Sequence, residues 1–184
     1  MQTECVLPFA IIGLAMDPRY PIGKFDPQQP VSFDQALAQI AALPDQVRAL
    51  AAKMSARQLD TRYREGGWTA RQVIHHLADS HINAYVRFRL ALTEDTPVIK
   101  PYKEALWAEL PDASSAPVEP SLRILEGVHE RWAALLRATP QPELERKFRH
   151  PERGEVTLSA TLALYAWHGR HHLGHLEICV QATA

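Results

Sequence analysis

The chain has almost no cysteine, no block of like charge and no apolar run of bilayer length, and each shortage removes a class of protein. Its two cysteines, Cys5 and Cys179, stand at opposite ends, which excludes a disulfide framework and fits a reducing, cytoplasmic setting. Lys and Arg number 20 against 21 Asp and Glu, a formal net charge of −1. With no basic run, the chain lacks the electrostatic footprint of a nucleic-acid binder. The apolar stretch Cys5–Ala15 is too short to cross a bilayer. Glu4 precedes it, so it also lacks the positive flank of a secretory leader. It reads as an upstream extension: residues 1–18 form an N-terminal extension, flexible by expectation, and 19–184 a single domain. No membrane partner is expected.

What is present is ordinary except for histidine. With 184 residues, 46% hydrophobic and 22% charged, the composition is globular, and one domain of this size buries about two thirds of its unfolded surface. Of nine histidines, most fall in two clusters: His75, His76 and His81, then His168, His171, His172 and His175.

Residues 17–32 carry Pro18, Pro21, Pro27 and Pro30 and are expected to lie as an extended arm against the body. Beyond them the hydrophobic periodicity predicts four long helices. The first runs from about Phe33 to Met54, capped by Ser32 and kinked or split at Pro44. Gly66 and Gly67 break the chain. Thr69 then opens T-A-R-Q, a capping-box pattern completed by Gln72. The second helix continues to about Thr93 with Val73, Leu77, Ala84, Phe88 and Ala91 at helical spacing. Prolines 97, 101, 111, 117 and 120 leave room only for a short helix near 103–110. A third helix spans about 121–138, with Leu122, Leu125, Val128, Trp132 and Leu135 in one stripe. Pro151 and Gly154 suggest a tight loop or small β-hairpin within 148–158, and the last helix runs from about Ser159 to Gln181. The fold class that follows is all-α: a four-helix bundle with a long crossover connection through 95–120, which frees its flanking helices from being antiparallel neighbours.

Histidines four apart on a helix lie about 40° apart around it and one turn along, near enough to share an ion. The last helix holds two such pairs, His168 with His172 and His171 with His175. On the helical wheel His172 turns toward the apolar centre of Leu162, Tyr165, Leu173, Leu176 and Cys179, while His171 turns the other way, so the first pair faces the interior better. On the second helix His76 borders the apolar face in line with Gln72, Ser80, Asn83 and Arg87, a polar stripe fit to line a pocket. His75 turns away from that face and is expected at the surface. His81 falls inside the apolar sector as a buried structural or ligand-orienting residue. His129 and His150 show no partner pattern, and Trp68, Trp107, Trp132 and Trp167 read as core or pocket wall. A single helical histidine is more often packing than a ligand. Two clusters on separate helices, each with a member turned inward, favour one divalent ion held by His76, His168 and His172.

Three neutral imidazoles suit zinc or nickel and leave a fourth position for water or substrate, the mark of a catalytic site. Such an ion acts as a Lewis acid, lowers the pKa of its water, or holds a thiol substrate as thiolate. Asp79 and Glu177 stand near these histidines in sequence, but each reads first as a surface charge or an orienter of imidazole. Asp79 and Arg87 are weak catalytic candidates, Arg87 as a cation able to anchor a carboxylate. A closed, structural site would instead draw a fourth ligand from Asp79, His171, His175 or Glu177.

The segments R-Y-P-I-G-K-F (19–25), G-G-W-T-A-R-Q-V-I-H-H-L-A-D-S-H (66–81), R-F-R-L-A-L-T-E-D-T-P (87–97) and Y-A-W-H-G-R-H-H-L-G-H (165–175) resemble the DinB/YfiT-like family, most closely its YfiT-type branch. The similarity extends from about Arg19 to Val180. It implies a four-helix bundle with a crossover, one zinc or nickel ion and a homodimer. The family's triad, one histidine before a short apolar pair and an H-x-x-x-H on the last helix, falls here on His76, His168 and His172. His171 and His175 are additional to it, and His75 doubles the first position. The branch implies a metal-dependent hydrolase acting on a small molecule. The wider family also implies transferases and isomerases that use a low-molecular-weight thiol such as bacillithiol or mycothiol. A helical dimer that its metal merely braces is the non-enzymatic alternative.

Overall fold

The computed structural model describes residues 17–29 and 31–182; most of the expected N-terminal extension lies outside the described residues. Four long helices carry the architecture: α1 (Phe33–Ala51), α3 (Ala70–Thr93), α6 (Glu119–Ala138) and α7 (Leu158–Gln181). Short helices α2 (Ala56–Leu59), α4 (Glu104–Ala108) and α5 (Pro111–Ser114) sit in the connections. An antiparallel hairpin of β1 (Lys147–His150) and β2 (Gly154–Thr157) precedes α7.

Local chemistry sets the helix starts. Ser32 with Gln35, Ser55 with Gln58, and Thr69 with Gln72 each form a reciprocal capping box. In each, a hydroxyl accepts from the third helical amide while the glutamine side chain accepts from the cap's own amide. Thr157 caps α7 by accepting from the Ala160 amide. α1 runs unbroken through Pro44 and stops at Ala51, short of the expected Met54. The split expected at Pro44 does not occur. The proline has no N–H for the carbonyl four residues back, and that carbonyl, on Ile40, accepts instead from Nδ1 of His129 at 2.5 Å.

The cross-helix contacts give the directions. His75 meets Ser121, His81 meets His129 and Phe88 meets Trp132, so α3 and α6 run parallel. His76 meets His172 and Ser80 meets Tyr165, so α3 and α7 run antiparallel. Ile40 meets His129 while Arg48 reaches Glu119 and Glu126, which makes α1 antiparallel to α6. Parallel neighbours demand that the 94–118 connection travel back the length of α3, whose 24 residues span about 36 Å. It leaves beside the hairpin, where Ile99 N–H donates to Arg149 O and Arg149 N–H to Pro97 O. It then returns along α3, where Gln72 donates to Ala108 O and Arg71 to Ala116 O. The expected crossover is this segment.

Two apolar clusters fill the bundle, one around Trp132, Phe88, Ile40 and Leu158, the other around Leu77, Val47, Leu125 and Leu176. His81, His129, and His168 with His172 fall where one cluster gives way to the other: between Leu77 and Ala84, between Leu125 and Trp132, and between Ala166 and Leu176. The proline-rich arm lies on α7, with Pro21 buried, Phe25 against Trp167 and Tyr20 near His171.

Two glycines report on this packing in opposite ways. A Cβ on Gly174 would stand 2.8 Å from ring carbons of Pro21, whereas one on Gly127 in α6 would meet nothing within 4 Å. Gly174→Val is therefore expected to lift the arm, read as faster limited proteolysis within residues 17–29. Gly127→Ala is expected to stabilise the bundle by about 0.5–1 kcal/mol in chemical denaturation, the ordinary helical preference of alanine over glycine.

Candidate metal centre

α3 and α7 bring His76, His168 and His172 together: each offers a ring nitrogen, and these nitrogens all lie within 4.8 Å of one another. Nε2 of His76 and Nε2 of His168 are 3.3 Å apart. A tetrahedral ion with Zn–N bonds of 2.0–2.1 Å spaces its ligands by about 3.3 Å, so this separation fits a shared ion. It also fits one N–H···N hydrogen bond, but a single proton serves one pair, whereas an ion serves all three nitrogens. Burial is the leading cause that lowers the pKa of each ring, with repulsion from neighbouring histidines second; for His76 the value falls to about 4. All three are neutral at pH 7, the form that ligates metal.

Among the described residues the set has three members. Asp79, His171, His175 and Glu177, the sequence candidates for a fourth ligand, are not part of it. Asp79 lies on the side of α3 that the crossover covers. Burial, helped by the Asp112 charge, raises its carboxyl to about 6. His171 and His175 are more enclosed than the wheel suggests, at 8% and 2% exposure. The arm and Trp167 cover His171, and the Tyr63 ring stacks on His175 with centroids 3.8 Å apart. Nδ1 of His175 lies 3.2 Å from Nδ1 of His172, which leaves Nε2 as the free nitrogen of His172.

His75, expected at the surface, is buried at 6% exposure. Its Nδ1 lies 2.7 Å from Ser121 Oγ and its Nε2 3.3 Å from Ala116 O. A wheel drawn for one helix does not contain the crossover that covers this face. His81 is fully buried as expected, with Nε2 3.1 Å from Nδ1 of His168. The residue that sequence reasoning missed is His129, 1% exposed, whose Nε2 lies 2.9 Å from Nδ1 of His81. Its signal was available: it stands four residues after Leu125 and three before Trp132, on the apolar stripe, where a polar side chain must find a partner.

A cavity of about 410 Å³ opens beside His168. Ser80, Tyr102, Tyr165, Arg87 and Arg153 line it, with the Tyr165 ring centroid 5.5 Å from that of His168. Ser80 Oγ donates to Tyr165 Oη at 3.4 Å. The Tyr102 hydroxyl is buried without a hydrogen-bond partner among the described residues, and burial raises its pKa, so it stays a protonated donor. Glu104, Glu152 and Arg153 are exposed at the rim, whereas Arg87 is half-buried. The other half-buried arginines have partners: Arg48 on Glu119 and Glu126, Arg64 on Glu65 O, Arg71 on Asp60 and Ala116 O, Arg146 on Ala91 O and Glu94 O. Arg87 has neither hydrogen bond nor ion pair among the described residues. His150 adds no charge, because burial, then the charges of Arg153 and Arg87, lowers its pKa.

The enclosed histidines make stability depend on acidity. Burial drops the pKa of His129 from 6.5 to about 4, against the opposing pull of the Ile40 carbonyl. Above pH 6.5 both folded and unfolded chains carry it neutral. As pH falls from there toward 4, only the unfolded chain takes up the proton, so stability is lost through that window, about 3 kcal/mol for this residue. Urea midpoints should hold nearly constant from pH 7.5 to about 6.5 and then fall to pH 4.5, less steeply in His129→Gln; a flat profile contradicts the assignment of His129 as buried and neutral.

A family model described as the DinB superfamily matches residues 39–176. A Bacillus cereus (strain 03BB102) protein named "Putative metal-dependent hydrolase" is 52% identical over 163 residues, covering 87% of this chain and 94% of that protein. A Bacillus thuringiensis subsp. konkukian protein with the same description matches at the same identity and coverage. Among solved structures, YfiT from Bacillus subtilis, described as "a probable metal-dependent hydrolase with an unusual four-helix bundle topology", is 43% identical. It aligns with a TM-score of 0.84 over 89% of this chain and 96% of its own. A further four-helix bundle protein, 22% identical with a TM-score of 0.54, shares the fold. The parallel α3–α6 pair, the three converging histidines and the match over most of the chain have one explanation: this chain belongs to the DinB superfamily.

Proposed function

We propose that this protein is a metal-dependent hydrolase that holds one zinc or nickel ion on His76, His168 and His172 and acts on a small molecule carrying an anionic group. The observation that carries the reading is the convergence of three neutral ring nitrogens, one of them on His168 in the wall of a cavity whose one half-buried charge is an unpaired guanidinium. The relatives' names support the hydrolase class.

A divalent ion held there supplies Lewis acidity and lowers the pKa of a water toward neutrality. The chain's own groups do the rest. Three protein ligands leave a position for water or substrate. Arg87 engages the anionic end of the substrate, and the Tyr102 hydroxyl donates to a substrate oxygen. Zinc and nickel both accept three imidazoles, so the donor set alone favours neither. Exposed Val98, Leu106, Trp107 and Leu110 along the crossover support a homodimer as part of the proposal. No helix among the described residues is long and apolar enough to cross a membrane, and a cytoplasmic setting is proposed with the rest.

Elemental analysis of protein purified without a histidine tag should find one zinc or nickel per chain, and His168→Ala should lose it together with any hydrolysis of ester, amide and phosphoester panels. A metal-loaded protein that hydrolyses none of these but transfers a low-molecular-weight thiol would move the assignment to the thiol S-transferases. A metal-replete protein inert in both assays would leave the ion as a brace only.

On carboxylate-bearing esters, Arg87→Gln should raise KM by about 10-fold or more with little change in kcat, the signature of a lost charge-assisted contact made equally in ground and transition states. Neutral esters should be unaffected. Equal losses on charged and neutral esters would contradict anion recognition.

A further inference from the structure

Three short contacts and one missing amide hydrogen form a directed chain. Pro44 cannot donate to Ile40 O, and Nδ1 of His129 approaches that oxygen at 2.5 Å. A carbonyl only accepts, so Nδ1 of His129 carries the hydrogen. A neutral imidazole has one N–H, and burial keeps His129 neutral, so its Nε2 is a bare acceptor. Nδ1 of His81, 2.9 Å away, must then be the donor. The same step repeats: Nε2 of His81 is bare, and Nδ1 of His168, at 3.1 Å, donates to it. What is left on His168 is the Nε2 lone pair, 3.3 Å from Nε2 of His76.

We propose that His129 and His81 are positioning residues: a series of Nδ1–H donors, anchored on the Ile40 carbonyl that Pro44 leaves unused, fixes the tautomer and ring plane of His168 so that its Nε2 lone pair faces His76 and His172. The inference rests on the reading of His168 as a ligand for its consequence, but not for its content, because the tautomers exist with or without an ion. A ligating histidine is ordinarily held through its other ring nitrogen by a carboxylate, a carbonyl or water. Here two further histidines stand between the ligand and the carbonyl. The reason lies in the bundle: the Ile40 carbonyl on α1 is turned to α6, so the path to His168 runs through α6 and α3, and an all-imidazole path spans that apolar packing without burying a charge. The His81 and His129 rings also stack, with centroids 4.8 Å apart at 24°, and both present an edge to Trp132. The core thus holds their planes as well as their hydrogens.

The test is nitrogen-15 NMR of the histidine rings, combined with zinc affinity by chelator competition. In wild-type protein His129, His81 and His168 should all be Nδ1–H tautomers, with Nδ1 protons slow to exchange. His129→Ala removes the acceptor for His81. It should allow His81 and His168 to populate the other tautomer and weaken zinc binding by about 10–100-fold. His129→Gln, whose amide offers both a donor and an acceptor, should recover part of both. An Nε2–H tautomer on His81 or His168 in the wild type overturns the proposal without any variant. So does a His129→Ala protein that folds and keeps wild-type tautomers and zinc affinity. If wild-type protein binds no metal while the three tautomers are as stated, the hydrolase reading falls and the ordered histidine chain stands.

Discussion

Pro44 has no amide hydrogen to offer Ile40, and the carbonyl thus released lies against His129 in the bundle interior. The chain of contacts that begins there passes through every long helix: Ile40 on α1, His129 on α6, His81 on α3 and His168 on α7. Each contact is short enough to be a hydrogen bond, and Ile40, His129 and His81 are all buried. An imidazole left without a partner in such a place costs about 1–3 kcal/mol. A one-residue slip of any helix would strand at least one ring, so these polar contacts fix the relative register of the four helices in a way apolar packing alone does not.

The topology explains why so many imidazoles can be enclosed. Because α3 and α6 run parallel, the chain between them must return along α3, and it covers a face that a simple up-and-down bundle would leave wet. His75 is buried for that reason. On the far side, the proline-rich arm and Tyr63 cover α7 around His171 and His175. α7 is thereby enclosed on more than one side, and its two glycines mark the tight approaches: Gly169 against Leu43 of α1, Gly174 against Pro21 of the arm.

What was legible in the sequence was whatever local pattern encodes. The cap at Ser32, the capping box at Thr69, the long helices and the hairpin follow from residues within a few turns of one another, and their positions agree with the structure to within a few residues; the inward turn of His76 and of the His168 and His172 pair was read on each helix separately, and the fold brings the three together. What was illegible depended on distant chain. His75 reads as exposed until the crossover is laid over it. The place of His129 on an apolar stripe signals that it needs a partner but not which one, because its partners, Ile40 and His81, are 89 and 48 residues away. The helix at 56–59 is a single capped turn, too short for periodicity to announce. Pro44 is the instructive case. Read locally, a proline in mid-helix predicts a break; in the fold, the defect supplies an acceptor that another helix uses.

Arg87 shows the same dependence on distant chain, in the opposite sense. On the wheel it is one more polar residue in line with His76 and Ser80, indistinguishable from a solvated charge. In the folded chain it is half-buried, and the carboxylates nearest its cavity, Glu104 and Glu152, remain at the exposed rim instead of pairing with it. A guanidinium partly withdrawn from water and given no partner is unfavourable for stability, and a bundle with acidic residues so near could have relieved it. The cost is intelligible if an anion from outside completes the pair. His168, in the wall of the same cavity, follows the same logic, since its ring nitrogen converges with those of His76 and His172 on a point that an ion would serve better than a single shared proton. The cavity wall thus holds unmet electrostatic demand of opposite sign at Arg87 and at His168, which is the expected form of a site that binds a small, charged and polarisable molecule and an unexpected one for a cavity left by imperfect packing.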